Sequence, residues 1–268
     1  MKKHDEQTPA ENVNKTAEDK KIKRKLDLNT LLIVISVILL VTGVICLLIE
    51  PIKSSRRNKI TNDALDEIEA QISEQSELTL EETAITFVVP RDGNEVAGES
   101  IDYYGDEEAI ISMQEQVAEE EANLPSNVTL TCVGILQIDD IELELPVWDS
   151  SSRVALRYGL GLYEYSVMPG EQGNSTILGH RNRHTSTMFY RLKEVEVGDV
   201  VRFIKTDGTE LVFTVDEVRI VGPDELLDNI DGDITDTIQL TLVTCANGEN
   251  GYGSGYRRLV ICHMSQED

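Results

Sequence analysis

The feature that most constrains this chain of 268 residues is a run of 22 residues without a charged side chain, from residue 28 to residue 49. As a helix this run, LNTLLIVISVILLVTGVICLLI, would be about 33 Å long, which matches a bilayer hydrocarbon core of about 30 Å. The run is too long for the apolar region of a signal peptide, and no small-residue cleavage site follows it. The sequence therefore predicts an uncleaved transmembrane anchor at residues 28–49.

The charged residues divide the remainder of the chain into blocks. Residues 1–27 carry eight basic and six acidic side chains and are predicted to be a polar, cytoplasmic tail. Residues 50–130 are predicted to be an acidic stalk or linker, and residues 131–268 a folded catalytic domain. The net charge of −25 excludes a nucleic-acid binder, because a phosphate backbone needs a basic surface.

The predicted stalk contains helical patterns within a strongly acidic composition. Residues 60–125 hold nineteen acidic residues and a single base, Arg91. Apolar residues nevertheless recur at helical spacing, as in Ala64, Ile68 and Ile72. A charged segment is usually solvated, which favours a spacer. The alternative is a regulatory segment that folds back on the domain.

From residue 131 onwards the sequence is typical of a β domain. Short apolar runs alternate with turn signals, and residues 200–205 and 211–221 flank the hairpin signal Thr206-Asp207-Gly208-Thr209. A strongly apolar strand is predicted at residues 237–244 and a last strand at residues 256–263. Many short strands of this kind predict a barrel or a sandwich.

Three side chains at predicted strand ends can carry chemistry. Cys245 ends the strand TIQLTLVT, His180 ends TILG, and Arg258 opens the last strand. An imidazole close to a thiol favours the thiolate nucleophile, and a guanidinium is a permanent donor for a developing oxyanion. Together they predict acyl transfer, although each residue taken alone is more often structural.

The flanks of these residues resemble the sortases, the cysteine transpeptidases of Gram-positive cell surfaces. The matching pieces are ILGHRN around His180, TLVTC ending at Cys245 and RLVI starting at Arg258. The resemblance covers about residues 131–264. It implies a mostly β fold, an eight-stranded sortase-type β-barrel with short helices, preceded here by the single transmembrane helix and the acidic stalk.

The resemblance also implies a role for each residue. Cys245 attacks the peptide, His180 donates a proton to the leaving amine, and Arg258 holds the substrate and the oxyanion. Adjacent Arg257 points to the opposite face of its strand, and alternation alone does not choose between the two arginines. The family pattern of an arginine before a hydrophobic run selects Arg258. The glycine-rich loop at residues 246–255 is either a mobile substrate entrance or a simple connection.

Substrates and partners follow from the same resemblance. The expected donor is a surface protein with a Leu-Pro-x-Thr-Gly (LPxTG) sorting motif, and the acceptor is an amine of a peptidoglycan precursor or of a pilin lysine. The chain resembles class A or class D members more than pilus-building members, because it has neither a second apolar segment nor an Asp-Pro-aromatic lid motif. No cofactor is expected; some members bind calcium, but Glu142 and Glu144 are no argument for it in so acidic a chain.

Other classes of protein are weaker alternatives. A metal site would use His180, His184 and Cys245 or His263, but HRNRH lacks the general-base glutamate of a zincin helix. Papain-like enzymes place the cysteine before the histidine, and here the order is reversed. The remaining alternative is a non-enzymatic stalked binding module or adhesin. Cys132 and Cys262 are predicted to be buried thiols, and a disulfide between them stays open.

Overall fold

The computed structural model describes residues 28–78, 84–91, 125–182, 187–233, 235–246 and 255–264. The chain divides into two compact units, residues 1–50 and residues 51–268, and each is described by itself. The predicted tail and residues 79–83 and 92–124 of the predicted stalk lie outside the described residues. So do His184 and most of the glycine-rich loop.

A long helix, α1, runs from Leu28 to Leu78 and contains Pro51. In the first unit, the large apolar side chains of α1 are exposed, from 44% at Leu31 to 77% at Leu47. No helix among the residues with described side chains is both long enough and apolar enough to cross a membrane.

The described part of the second unit consists mainly of short strands. They are β1 (Thr86–Pro90), β2 (Asn127–Ile138), β3 (Leu143–Trp148), β4 (Leu160–Leu162), β5 (Gly173–Leu178), β6 (Arg181–Asn182), β7 (Thr187–Met188), β8 (Val200–Lys205), β9 (Glu210–Val221), β10 (Ile238–Cys245) and β11 (Arg257–Met264). A short helix, α2, spans Arg153–Tyr158, and 3-10 turns lie at Asp139–Ile141, Phe189–Glu194, Pro223–Glu225 and Leu227–Asn229.

Eight of these strands close into a barrel. The sheet order is β1-β2-β3-β4-β5-β10-β11-β9-β8, and an additional pairing of β8 with β2 joins the two ends. The closed ring is therefore β2, β3, β4, β5, β10, β11, β9 and β8, which confirms the predicted eight-stranded barrel. β1 extends the sheet outside the ring, and β6 and β7 form a separate two-stranded pair.

The interior of the barrel is filled by one face of each strand. Fully buried side chains such as Leu136, Phe203, Phe213, Leu242 and Val260 form its core. β10 is buried on both faces, because Leu242 enters this core while Val243 belongs to a second cluster. The face opposite the core also carries the buried polar residues Gln239 and Thr241.

A third cluster joins the C-terminal part of α1 and β1 to the barrel. Ala64 and Ile68 of α1 are fully buried in the same cluster as Trp148 and Tyr158. β1 pairs antiparallel with the first half of β2, and the Tyr158 hydroxyl donates to the carbonyl oxygen of Pro90 at 2.9 Å. Parts of the segment that the sequence predicted as a stalk therefore pack onto the domain, as the fold-back alternative requires.

Candidate active site

The sheet order brings the predicted site residues to one edge of the barrel. β10 lies between β5, to which it is parallel, and β11, to which it is antiparallel. The carboxyl ends of β5 and β10 and the amino end of β11 therefore meet at the same edge. His180 follows β5, Cys245 ends β10, and Arg257 and Arg258 begin β11.

Cys245 differs from the other described free thiols in its exposure. It is half-buried at the strand end, whereas Cys132 and Cys262 are buried and unpaired. Burial raises the pKa of the Cys132 thiol to about 12 and raises that of Cys262 as well. Thiols held neutral in this way are poor nucleophiles, so among these three cysteines Cys245 is the thiol available for chemistry. The two buried cysteines belong to different clusters, which confirms the buried-thiol prediction and leaves them without a disulfide.

The backbone on either side of His180 is fixed by hydrogen bonds. The Gly179 amide donates to the carbonyl oxygen of Val243 at 3.0 Å, and the Thr244 hydroxyl donates to the carbonyl oxygen of Gly179 at 2.8 Å. The carbonyl oxygen of His180 accepts from the Phe189 amide at 3.0 Å. The residue before the histidine is thus tied to the residue before the cysteine.

A side chain at position 179 would not fit. A Cβ atom there would lie 2.4 Å from the Phe189 ring and 2.7 Å from Leu160. This close packing is the local reason for the glycine in the Gly-His-Arg motif. It also fixes the strand end from which His180 is presented.

The strand register separates the two arginines. Cys245 lies opposite Arg257, and Thr244 lies opposite Arg258. Directly opposed residues of an antiparallel pair share a face, while successive residues alternate. The register therefore places Arg257 on the face of Cys245 and Arg258 on the other face, with Thr244. This argues against the choice of Arg258 that the family resemblance makes.

A buried apolar cluster lies on the same face as Cys245. Val243 of β10 and Leu259 of β11, which are two residues from Cys245 and from Arg257, pack with Val221, Ile230 and Ile261. Ile230 belongs to the connection between β9 and β10, so this connection covers the cluster from one side.

The metal alternative finds no support in the described part of the chain. No group of three or more His, Cys, Asp or Glu residues suited to a metal occurs there. His263 lies opposite Gln239, at the end of β10 remote from Cys245, and contacts Asp216. His184 lies outside the described residues.

Sequence reasoning found the strand ends but missed two features of the site. It did not assign a role to Thr244, although this residue belongs to the TLVTC motif. It also missed the buried polar residues of β5, which hold the β9–β10 connection. The signal for them was the run of three polar residues, Asn174 to Thr176, directly before the apolar residues Ile177 and Leu178.

Comparisons with known proteins find similarity to one family. A family model for the Sortase domain matches residues 136–265. Sortase D of Bacillus subtilis (strain 168) is 35% identical over 92 residues, covering 34% of this chain and 44% of that protein. Sortase A of Streptococcus agalactiae serotype III (strain NEM316) is 28% identical over 127 residues, covering 45% and 49% respectively. The chain thus spans less than half the length of these two relatives.

Solved structures give similar matches. The crystal structure of sortase C1 from Streptococcus agalactiae is 30% identical, with a TM-score of 0.43, over 50% of this chain and 68% of that one. A Clostridium perfringens sortase D5 transpeptidase is 24% identical, with a TM-score of 0.44, over 50% and 79% respectively.

Proposed function

This chain belongs to the sortase family through its domain at residues 136–265, and on that premise we propose that it is a cysteine transpeptidase of the cell surface. Its substrate is a protein with an LPxTG-type sorting motif, and its acceptor is a primary amine of the cell wall. The observation that carries the proposal is Cys245, a half-buried thiol at the strand edge that His180 also occupies.

The reaction proceeds in two steps. The thiolate of Cys245 attacks the carbonyl carbon of the scissile peptide bond, and the C–N bond breaks as protonated His180 gives its proton to the leaving amine. A thioester then joins the donor protein to Cys245. The acceptor amine attacks the thioester carbon and gives a proton to His180, the C–S bond breaks, and a new amide bond forms while the thiolate and the protonated imidazole are regenerated.

The guanidinium role has two candidates. Resemblance selects Arg258, whereas the register places Arg257 opposite the nucleophile. We follow the register and assign to Arg257 the stabilisation of the oxyanion that develops on the attacked carbonyl. A permanent positive charge with several fixed donors suits this role.

Relatives with the names Sortase D and Sortase A agree with the class A or class D resemblance. The acceptor is therefore proposed to be a peptidoglycan-precursor amine, with a pilin lysine as the alternative.

We further propose that residues 28–49 anchor the protein in the cell membrane, with the N-terminus in the cytoplasm and the catalytic domain outside. The support is the run of 22 residues without a charge and the basic cluster at residues 20–25. Membrane fractionation of the full chain, with a variant lacking residues 28–49 as control, tests this. Equal recovery of both proteins in the soluble fraction would contradict it.

A thioester-trapping experiment tests the proposed activity. Residues 51–268 are incubated with a library of Leu-Pro-x-Thr-Gly-like peptides and several amines, and adducts and products are read by mass spectrometry. We expect an acyl adduct on Cys245 and an amine-dependent transfer product, both absent from Cys245→Ala. A folded wild-type protein that forms neither would instead indicate a non-enzymatic binding module.

A further inference from the structure

Two positively charged side chains lie against one tyrosine ring shortly after the histidine. The guanidinium carbon of Arg181 lies 5.9 Å from the centroid of the Tyr190 ring, and the ammonium nitrogen of Lys193 lies 4.9 Å from the same centroid. An aromatic ring attracts cations through the negative charge of its faces. Tyr190 therefore holds two like charges near each other, although their mutual repulsion opposes this arrangement.

The ammonium group of Lys193 is not neutralised by a carboxylate. Lys193 is exposed, and it forms no ion pair with any residue that the structure describes. Neighbouring Glu194 binds Nε of Arg191 at 2.9 Å, and Glu142 binds Nη1 of Arg191 at 3.2 Å. The chain has 49 acidic and only 24 basic residues, so a lysine without an acidic partner stands out. Its charge is available to an anion from solvent.

The two cations lie next to the catalytic edge of the barrel. Arg181 directly follows His180 and lies opposite Met188 in the short β6–β7 pair. The Phe189 amide donates to the carbonyl oxygen of His180 at 3.0 Å. Arg181 and Tyr190 are thus each one residue away from an end of this hydrogen bond. The bond fixes the backbone that carries the cations relative to the backbone of the histidine.

This location concerns the second step of the proposed reaction. The acceptor amine gives its proton to His180, so the remainder of the acceptor molecule passes close to this histidine. Peptidoglycan precursors carry carboxylate groups, and their lipid-linked forms also carry phosphate groups. The net charge of −25 repels such anions at long range. Guanidinium and ammonium groups offset this repulsion locally and bind anions through charge-assisted hydrogen bonds.

We propose that Arg181 and Lys193, held by Tyr190, form an anion-binding subsite for the acceptor: they bind a carboxylate or phosphate group of the acceptor molecule while its amine attacks the thioester. The inference rests on the proposed function and adds a requirement to it. The acceptor must carry an anionic group at some distance from the reacting amine. Recognition of the sorting peptide does not depend on this subsite.

Paired amine acceptors test the subsite with the full chain in detergent micelles. Oligoglycines of two to four residues are compared with their C-terminal amides, and Gly-Gly-phosphoserine amide is compared with Gly-Gly-serine amide. The thioester is formed from an LPxTG peptide, and mass spectrometry measures the rate of transfer to each amine. The ratio of the rates for the anionic and the neutral member of a pair is then compared between proteins, which cancels differences in amine basicity.

We expect the wild-type protein to prefer the anionic member of at least one pair, and Lys193→Gln to lower this preference by roughly fivefold, the upper range for one exposed ion pair. Lys193→Arg should retain the preference, because it retains the charge. Lys59→Gln removes one positive charge from an exposed position of α1 and should behave like wild type, which controls for net charge.

The pair in which the preference falls identifies the bound group. A loss in the oligoglycine pairs indicates a carboxylate, and a loss in the phosphoserine pair indicates a phosphate. A wild-type protein without preference in any pair, or a Lys193→Gln protein with the wild-type preference in every pair, would overturn the inference.

A labelling experiment gives a readout that needs no turnover. The rate at which an amine-reactive reagent acylates Lys193 is measured by peptide mass spectrometry, with chloride replaced by acetate or inorganic phosphate at constant ionic strength. One of these anions should slow the labelling of Lys193 but not that of Lys59, and Arg181→Gln should weaken the protection. Equal labelling of Lys193 in all three salts would overturn the inference. A wild-type protein that forms no thioester would refute the proposed function, while protection of Lys193 would still demonstrate the anion site.

Discussion

The Thr244 hydroxyl donates a hydrogen bond to the carbonyl oxygen of Gly179 at 2.8 Å, so the residue before Cys245 holds the residue before His180. Thr244 is 3% exposed and is not placed to touch substrate. It acts by setting the relative position of two strand ends. Small displacements of reacting groups cost large factors in rate, so this bond is expected to matter for catalysis.

Thr244→Val is therefore expected to lower kcat by about tenfold or more with little change in KM, because it removes the donor and leaves a buried carbonyl unsatisfied. Thr244→Ser should restore most of the rate. Peptide-cleavage kinetics measure both, with circular dichroism as the folding control. A valine variant with wild-type kcat would show that the bond does not position His180.

Arg257→Ala is expected to lower kcat about 10²–10³-fold, the usual cost of removing a donor to a developing oxyanion. Arg258→Ala should lower it much less, because Arg258 lies opposite Thr244 on the other face. Both variants replace an arginine by alanine at adjacent positions, so each serves as the control for the other. The reverse order of losses would restore the assignment to Arg258.

Ile68→Ala is expected to lower the free energy of unfolding by about 2–5 kcal/mol, the range for emptying a buried aliphatic site. Ile68 is fully buried in the cluster with Trp148 and Tyr158. Glu67→Ala, one residue away on the exposed side of α1, should change it by less than about 0.5 kcal/mol. Urea unfolding of residues 51–268 measures both. Equal effects would mean that α1 does not pack on the domain in solution.

The free energy of unfolding is expected to fall at alkaline pH, because the buried thiols ionise more readily in the unfolded chain than in the folded protein. Burial raises the pKa of Cys132 from its ordinary value of 9.0 to about 12. The stabilisation is fully present below pH 9 and is lost as the pH rises towards 12, because the unfolded thiol ionises first. For one such thiol the slope approaches about 1.4 kcal/mol per pH unit.

Urea unfolding at several pH values between 8 and 11 measures this slope. Cys132→Ala lowers the stability at every pH because it leaves a cavity, but its decline with pH should be shallower than that of the wild-type protein. Identical slopes in the two proteins would show that the Cys132 thiol does not contribute to the alkaline decline.

Local sequence patterns predicted much of the barrel. The turn at Asp207 and Gly208 is an instance: the Asp207 carboxylate accepts from the Thr209 amide at 2.8 Å, and Gly208 has φ +82°, a conformation that glycine adopts readily. The strand at residues 237–244 was equally visible, because leucine, isoleucine and valine alternate in it with β-branched threonine and it ends at a glycine-rich loop.

Contacts between residues that are distant in the sequence could not be predicted from local patterns. The burial of Ile68 depends on Trp148 and Tyr158, which are distant in the sequence, so composition alone favoured a solvated segment. The choice between Arg257 and Arg258 depends on the register across a loop whose length does not fix it. The Asn174 side chain accepts hydrogen bonds from Gln239 and Thr241, which lie 65 and 67 positions further along the chain. No local sequence pattern around Asn174 predicts these partners.

The order of the strands also has a consequence for how the protein is made. The Asn174 side chain can form its hydrogen bond with Gln239 only after the ribosome has added that residue, 65 positions later. β10 gains its second neighbouring strand only when β11 has been made. β11, which places Arg257 opposite Cys245, is therefore the last strand to join the edge at which β5 and β10 end. This edge of the barrel is complete only after the whole domain has been synthesised.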